Sequence, residues 1–252
     1  MEQIYYFFRS KPCNNNNFIM FGNIHLIIFL FAISISILIL KYKSESRFLE
    51  LFIATILILQ QIILYTWYFS NNYKILKEGL PLYHCRLSII FVGFGLLLQQ
   101  EILIKFGSYW GIFGSIGALL FPGLDPFLFP HITQFSYFIG HLFLLWGCVY
   151  VLFVKKVGMN KIDFKNTLIF TNIYNMIMFF MNNFLGSNYA YMNKPPINIG
   201  YDLNTFLYVS IAVILFNIVL FIEYILLNKY KLFGYKFNIE NVPKDQLSLN
   251  IE

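Results

Sequence analysis

Seven predominantly apolar stretches follow one another along this chain, each close to the roughly 20 residues that a helix needs to cross the hydrocarbon of a bilayer. No other feature limits the fold more. In lipid every backbone amide and carbonyl must be satisfied inside its own segment, which a helix achieves and an open sheet edge does not. The stretches run over residues 22–40, 48–69, 80–99, 107–121, 131–154, 166–185 and 206–227. They predict an all-α fold, a polytopic membrane helical bundle of about seven transmembrane helices spanning residues 22–230. Residues 1–21 read as a polar N-terminal tail, and residues 231–252 as a disordered tail on the cytoplasmic side. The fourth stretch is the shortest and stops at Pro122; a tilted span, a re-entrant segment and an extension back toward Glu101 all fit it. The first stretch follows Arg9 and Lys11 but lacks an Ala-x-Ala site, so it reads as a span and not as a signal peptide.

Charge is scarce, at 12% of residues, against roughly a quarter in a soluble domain. The net charge of +6 comes from short basic runs between the apolar stretches, which is how topology is encoded and not how nucleic acid is bound. With the N-terminus outside, twelve Lys and Arg residues fall on inner segments, five on outer ones, and Arg86 within a span. That bias predicts an N-outside, C-inside protein of a bacterial cytoplasmic membrane, with membrane lipids as its partners, no nucleic acid, and an oligomeric state left open.

On this topology the unusual polar residues gather in the outer half. The stretch "LPLYHCRLS" brings His84, Cys85 and Arg86 into the first turns of the third span, with Pro81 in the first turn and Cys85 roughly 8 Å along the helix. Asp125 and His131 lie in the outer loop "FPGLDPFLFPH". Gln134 and His141 share a face of the fifth span; Asn172, Asn175 and Asn182 share one of the sixth. Polar groups at membrane depth are costly unless they face a wet interior, so the third, fifth and sixth spans are expected to frame an outward-opening polar cavity. Adjacent helical residues diverge by about 100°, so His84 is badly placed to serve Cys85, and His141 is the better base. Cys85 would attack, His141 would shuttle the proton, and Arg86 or the asparagines would hold an anionic group.

Quieter readings stand beside these. Cysteine commonly just packs, arginine near a helix end snorkels, and asparagines tie helices together. Gly107, Gly111 and Ser115 read as close packing, Cys148 as core, Trp67 and Tyr68 as an aromatic belt, and Glu223 as reaching water or Lys229. Gln60 and Gln61 are ambiguous. No metal spacing and no nucleotide loop occurs, so neither metal nor cofactor is expected.

"LPLYHCRLS", then "GSIGALLFPGLDPFLFPHITQFSYFIGH", then "NYAYMNKPP" together resemble the YwaF-like family of bacterial integral membrane proteins, related to animal transmembrane protein 164. The motifs span about residues 80–200. The resemblance implies a cysteine-dependent acyltransferase that moves fatty acyl chains between phospholipids and lysophospholipids, with Cys85 as acyl carrier and His141, Asn188 and Tyr189 lining its site. Tyr83 stands where the bacterial pattern often has a histidine. Two other functions fit the residues: a transporter or small-molecule-binding protein using the same cavity, and a scaffold in which the polar groups only secure packing.

Overall fold

The computed structural model describes residues 2–13, 17–196 and 204–234, and all regular structure among them is helical. A short helix α1 (Glu2–Phe7) is followed by α2 (Asn23–Tyr42), α3 (Arg47–Ser70), α4 (His84–Leu98), α5 (Glu101–Leu120), α6 (Ile132–Val149), α7 (Lys161–Leu185) and α8 (Thr205–Gly234). A π-helical turn, Tyr150–Val154, prolongs α6. Six of these helices are long and apolar enough to cross a membrane; α4 has 15 residues. At 1.5 Å per residue, α4 covers only about 22 Å. The protein is a polytopic helical membrane bundle.

The helix boundaries rest on local chemistry that hydropathy does not register. Ser46 caps α3 by accepting from the Leu49 amide, and Asn160 and Asp163 form a reciprocal capping box that starts α7 five residues before the expected span. Glu101 and Lys105 at the head of α5 pair at 2.8 Å, and Lys105 also reaches Asp163 at 2.6 Å. The fourth span therefore extends back to Glu101 and is full length. The third is the short one. Leu80–Tyr83, apolar enough to pass for helix, lies in the loop before α4, so Pro81 is outside the helix and Cys85 is its second residue. The tail 1–21 is partly structured: His131 bonds the Arg9 carbonyl at 2.9 Å, and the Cys13 amide reaches Pro126 at 2.8 Å. Residues 235–252, the bulk of the expected disordered tail, lie outside the described residues.

Helix α6 is the hub. Two-thirds of its apolar window is buried, against about a tenth for α2, and α2, α3, α4 and α5 all pack on it. Glycines permit the close approaches. A Cβ on Gly107 would lie 2.8 Å from Phe91 of α4, and one on Gly111 would lie 2.7 Å from the Cys148 sulfur of α6. Helices α4 and α5 are joined by two residues, Gln99 in the left-handed conformation and Gln100, and so run antiparallel.

The two ends differ in character. One gathers the loops 71–83, 121–131 and 186–196. The other carries a buried ion network: Glu50, 5% exposed, takes Lys155 at 2.6 Å, Arg47 at 3.0 Å and Gln99 at 2.8 Å. Arg47 also donates to the Leu96 and Leu97 carbonyls that end α4. Trp67 and Tyr68 are not belt residues at a lipid interface: both are buried, with the Trp67 indole bonded to the Phe8 carbonyl at 2.9 Å.

Candidate functional site

At the loop-bearing end, a cavity of about 100 Å³ lies among α3, α4, α6 and three loops. Cys85, Arg86, Asp125 and His141 all line it. The framing helices are thus the second, third and fifth spans; the sixth, α7, which the asparagine stripe had suggested, is absent from the lining. The stripe makes its bonds elsewhere. Asn172 exchanges reciprocal bonds with Asn217 of α8 at 3.0 and 2.8 Å. Asn175 accepts from His84 at 2.9 Å. Asn182 clasps the following loop through the Tyr189 amide and carbonyl.

Cys85 stands at the start of α4, its Cβ 3.5 Å from where a side chain on Gly114 of α5 would begin. The N-cap, Tyr83, offers no side-chain bond to the first turn, so the leading amides of α4 are not capped from within the helix. A helix N-terminus of this kind favours negative charge.

His141, 4% exposed, bonds the carbonyl of Tyr137 through Nδ1 at 2.7 Å. A carbonyl can only accept, so Nδ1 carries the proton and Nε2 presents a lone pair. That Nε2 is buried without a partner. A buried acceptor left open in a cavity that a cysteine also lines is what a general base looks like before its proton donor arrives.

Arg86 turns inward. It donates to the Glu78 carbonyl, to the Leu80 carbonyl at 3.3 Å and to the Tyr68 hydroxyl at 3.3 Å. Its guanidinium also lies 5.2 Å from the Tyr83 ring centroid. The Tyr68 hydroxyl donates in turn to Asp125 at 2.9 Å. Arg86 therefore fastens loop 71–83 and, through Tyr68, loop 121–131. Burial holds the Asp125 carboxyl above the usual range, against the lowering pull of Arg86; burial does the same to Glu78, whose carboxylate accepts from Tyr83 at 3.0 Å.

The other expected site residues lie off the cavity. His84 sits among Trp110, Tyr174 and Phe216. His131 caps α6, stacks on Phe127 at 3.8 Å and spends both ring nitrogens on Thr133 and Arg9. Gln134 bonds the Phe127 carbonyl at 2.8 Å and lines a separate apolar groove beside α2. Asn188 organises its own loop by accepting from the Asn193 and Lys194 amides. Tyr189 accepts from the Leu80 amide at 3.1 Å, which ties that loop to the approach of α4. Glu223 is buried, at 4% exposure, and among the described residues neither carboxyl oxygen has a hydrogen-bond partner; the Lys229 side chain, its expected partner, lies outside the described residues.

Sequence reasoning passed over Gln60, Gln61, Tyr68, Ser136, Tyr137 and Tyr191 as lining residues. The glutamines, polar within an apolar span, gave a signal, and Ser136, Tyr137 and Tyr191 lie inside the quoted motif stretches.

These three motif segments meet at one end of one bundle, and the sequence matches the TMEM164 family over residues 13–228. The chain belongs to the TMEM164 family. No curated protein and no solved structure matches it. Within this TMEM164-family chain the matched region takes in every helix from α2 to α7 and most of α8, so the cavity lies wholly inside the shared part.

Proposed function

We propose that this protein is a lipid acyltransferase of the YwaF-like bacterial branch, working through a thioester on Cys85 in a cavity that faces the outside of the cytoplasmic membrane. The observation that carries the reading is the unpaired Nε2 of His141 in the cavity that Cys85 also lines.

The steps balance without any further reagent. His141 Nε2 takes the Cys85 proton, and the sulfur attacks the ester carbonyl of a donor lipid. The leading amides of α4, where Cys85 stands, are the donors nearest the tetrahedral oxyanion. As it collapses, the carbon–oxygen bond breaks and the departing glycerol oxygen takes the proton from His141, which releases a lysolipid. An acceptor hydroxyl then gives its proton to His141 and attacks the thioester, the carbon–sulfur bond breaks, and the thiol is reprotonated.

Arg86 and Asp125 are positioning residues here. They hold two loops around the cavity and do not meet the reacting atoms. The cavity's size favours acyl transfer over solute transport: about 100 Å³ holds about three water molecules, enough for an ester group but small for a transported solute.

The test is an alkyne-tailed phospholipid in vesicles with the purified protein. Wild type should acquire a hydroxylamine-labile acyl label that is lost in Cys85→Ala. A label of equal strength in Cys85→Ala would end the proposal.

A further inference from the structure

A second cavity adjoins the first. Between α3 and α4 runs an apolar groove of about 560 Å³, open toward the bilayer side of the bundle. Its walls include Ile58 and Ile62 from α3 and Ile90 and Phe94 from α4. Gly93 of α4 brings the two helices close: Ile58 comes within 3.1 Å of the position a Cβ would take there. Gln61 lines both the groove and the Cys85 cavity. Its side chain is buried, at 6% exposure, and its Oε1 has no hydrogen-bond partner. An amide oxygen can only accept, so whatever completes this junction brings a donor.

The direction of the groove fits a lipid. Cys85 stands at the loop-bearing end of α4, while Ile90 and Phe94 lie five and nine residues further on, roughly 8 and 14 Å along the helix toward the bilayer centre. A glycerolipid in that leaflet is laid out in the same order, with its ester near the head groups and its tail descending.

Resting on the acyl-transfer reading above, we infer that the α3–α4 groove is the acyl-chain site of the lipid substrate, entered sideways from the bilayer. The chain lies along Ile58, Ile62, Ile90 and Phe94, and Gln61 accepts from the glycerol hydroxyl of the acceptor lipid at the junction. Phe94, 41% exposed at the inner end, closes the groove and limits chain length. Each methylene that gains or loses its place should change transfer about fourfold.

The first arm uses Cys85→Ala protein in detergent and a phosphatidylcholine carrying a diazirine in mid-chain, so that labelling does not depend on chemistry. Peptides bearing Ile62 and Ile90 should label saturably at low lipid fraction, while the lipid-facing α2 labels in simple proportion to lipid. Ile62→Trp should remove the saturable part. The second arm compares chain lengths in otherwise native protein: Phe94→Ala should shift the optimum to longer chains, and Ile90→Trp to shorter ones. Non-saturable labelling equal to that of α2, or a chain-length optimum unmoved by both variants, overturns the groove assignment even if Cys85 is acylated. Saturable groove labelling with no thioester on wild-type Cys85 would instead uphold the groove and overturn the acyltransferase.

Discussion

At the scale of single residues, the informative contrast is among the histidines. His131 spends both ring nitrogens on structural bonds and His84 ties its Nε2 to Asn175 away from the cavity, whereas His141 has a buried Nε2 without a partner. Replacing His141 by Gln preserves a polar side chain but removes the proton carrier. Acyl transfer should fall about 10²- to 10⁴-fold, with the thermal midpoint in detergent nearly unchanged; a large loss of stability with full specific activity would make the residue structural. His131 gives a pH signature. Burial lowers its pKa to about 4 from 6.5, so the folded state binds fewer protons than the unfolded one. Its contribution is complete above pH 6.5 and declines as pH falls toward 4, by up to about 3 kcal/mol. Wild type should therefore lose thermal stability more steeply over this window than His131→Asn, which retains a capping side chain. Parallel profiles would contradict the assignment.

At the scale of helices, close approach at α5 fixes the geometry around the site. Gly107 brings α5 onto α4 and Gly111 brings it onto α6, so α5 braces both cysteine- and histidine-bearing helices from behind. Gly111→Leu should cost about 1 to 3 kcal/mol through overpacking and lower acyl transfer as well, because α4 and α6 move apart. The comparison with Gly117→Leu is the control, since nothing lies within 4 Å of a Cβ there. Equal losses from both would remove α5 from the account. At the opposite end, Glu50 joins α3, α4 and the π turn through Lys155, Arg47, Gln99 and Tyr150. Glu50→Ala leaves a mostly buried lysine unpaired and should cost about 3 kcal/mol in chemical or thermal unfolding. A change within 0.5 kcal/mol would show that water satisfies the network.

At the scale of the whole molecule, the lysine distribution predicts which end faces out. A membrane-impermeant amine reagent added to sealed cells should modify Lys74 or Lys77 on the loop before α4 and spare Lys43 between α2 and α3; the reverse pattern would place the cavity in the cytoplasm. The bundle itself was legible in the sequence, since apolar length alone separates spanning helices from everything else. The small-residue spacing at Gly107 and Gly111 was legible too, because close packing leaves a periodic trace. What escaped was the loop Leu80–Tyr83, as apolar as a helix but held by Arg86 and Tyr189, and hence the position of Cys85 at the start of α4. The asparagine stripe misled because a shared helix face does not say which neighbour it meets: Asn172 found α8, Asn175 found His84, and Asn182 found its own loop. Sequence by itself determined the membrane class, the helix count to within one short member, and the relation to the TMEM164 family. Only the tertiary structure decided that α3 and not α7 walls the cavity with α4 and α6. Hydropathy records the partition of each segment between lipid and water, whereas helix neighbours are chosen by contacts between residues distant in the chain.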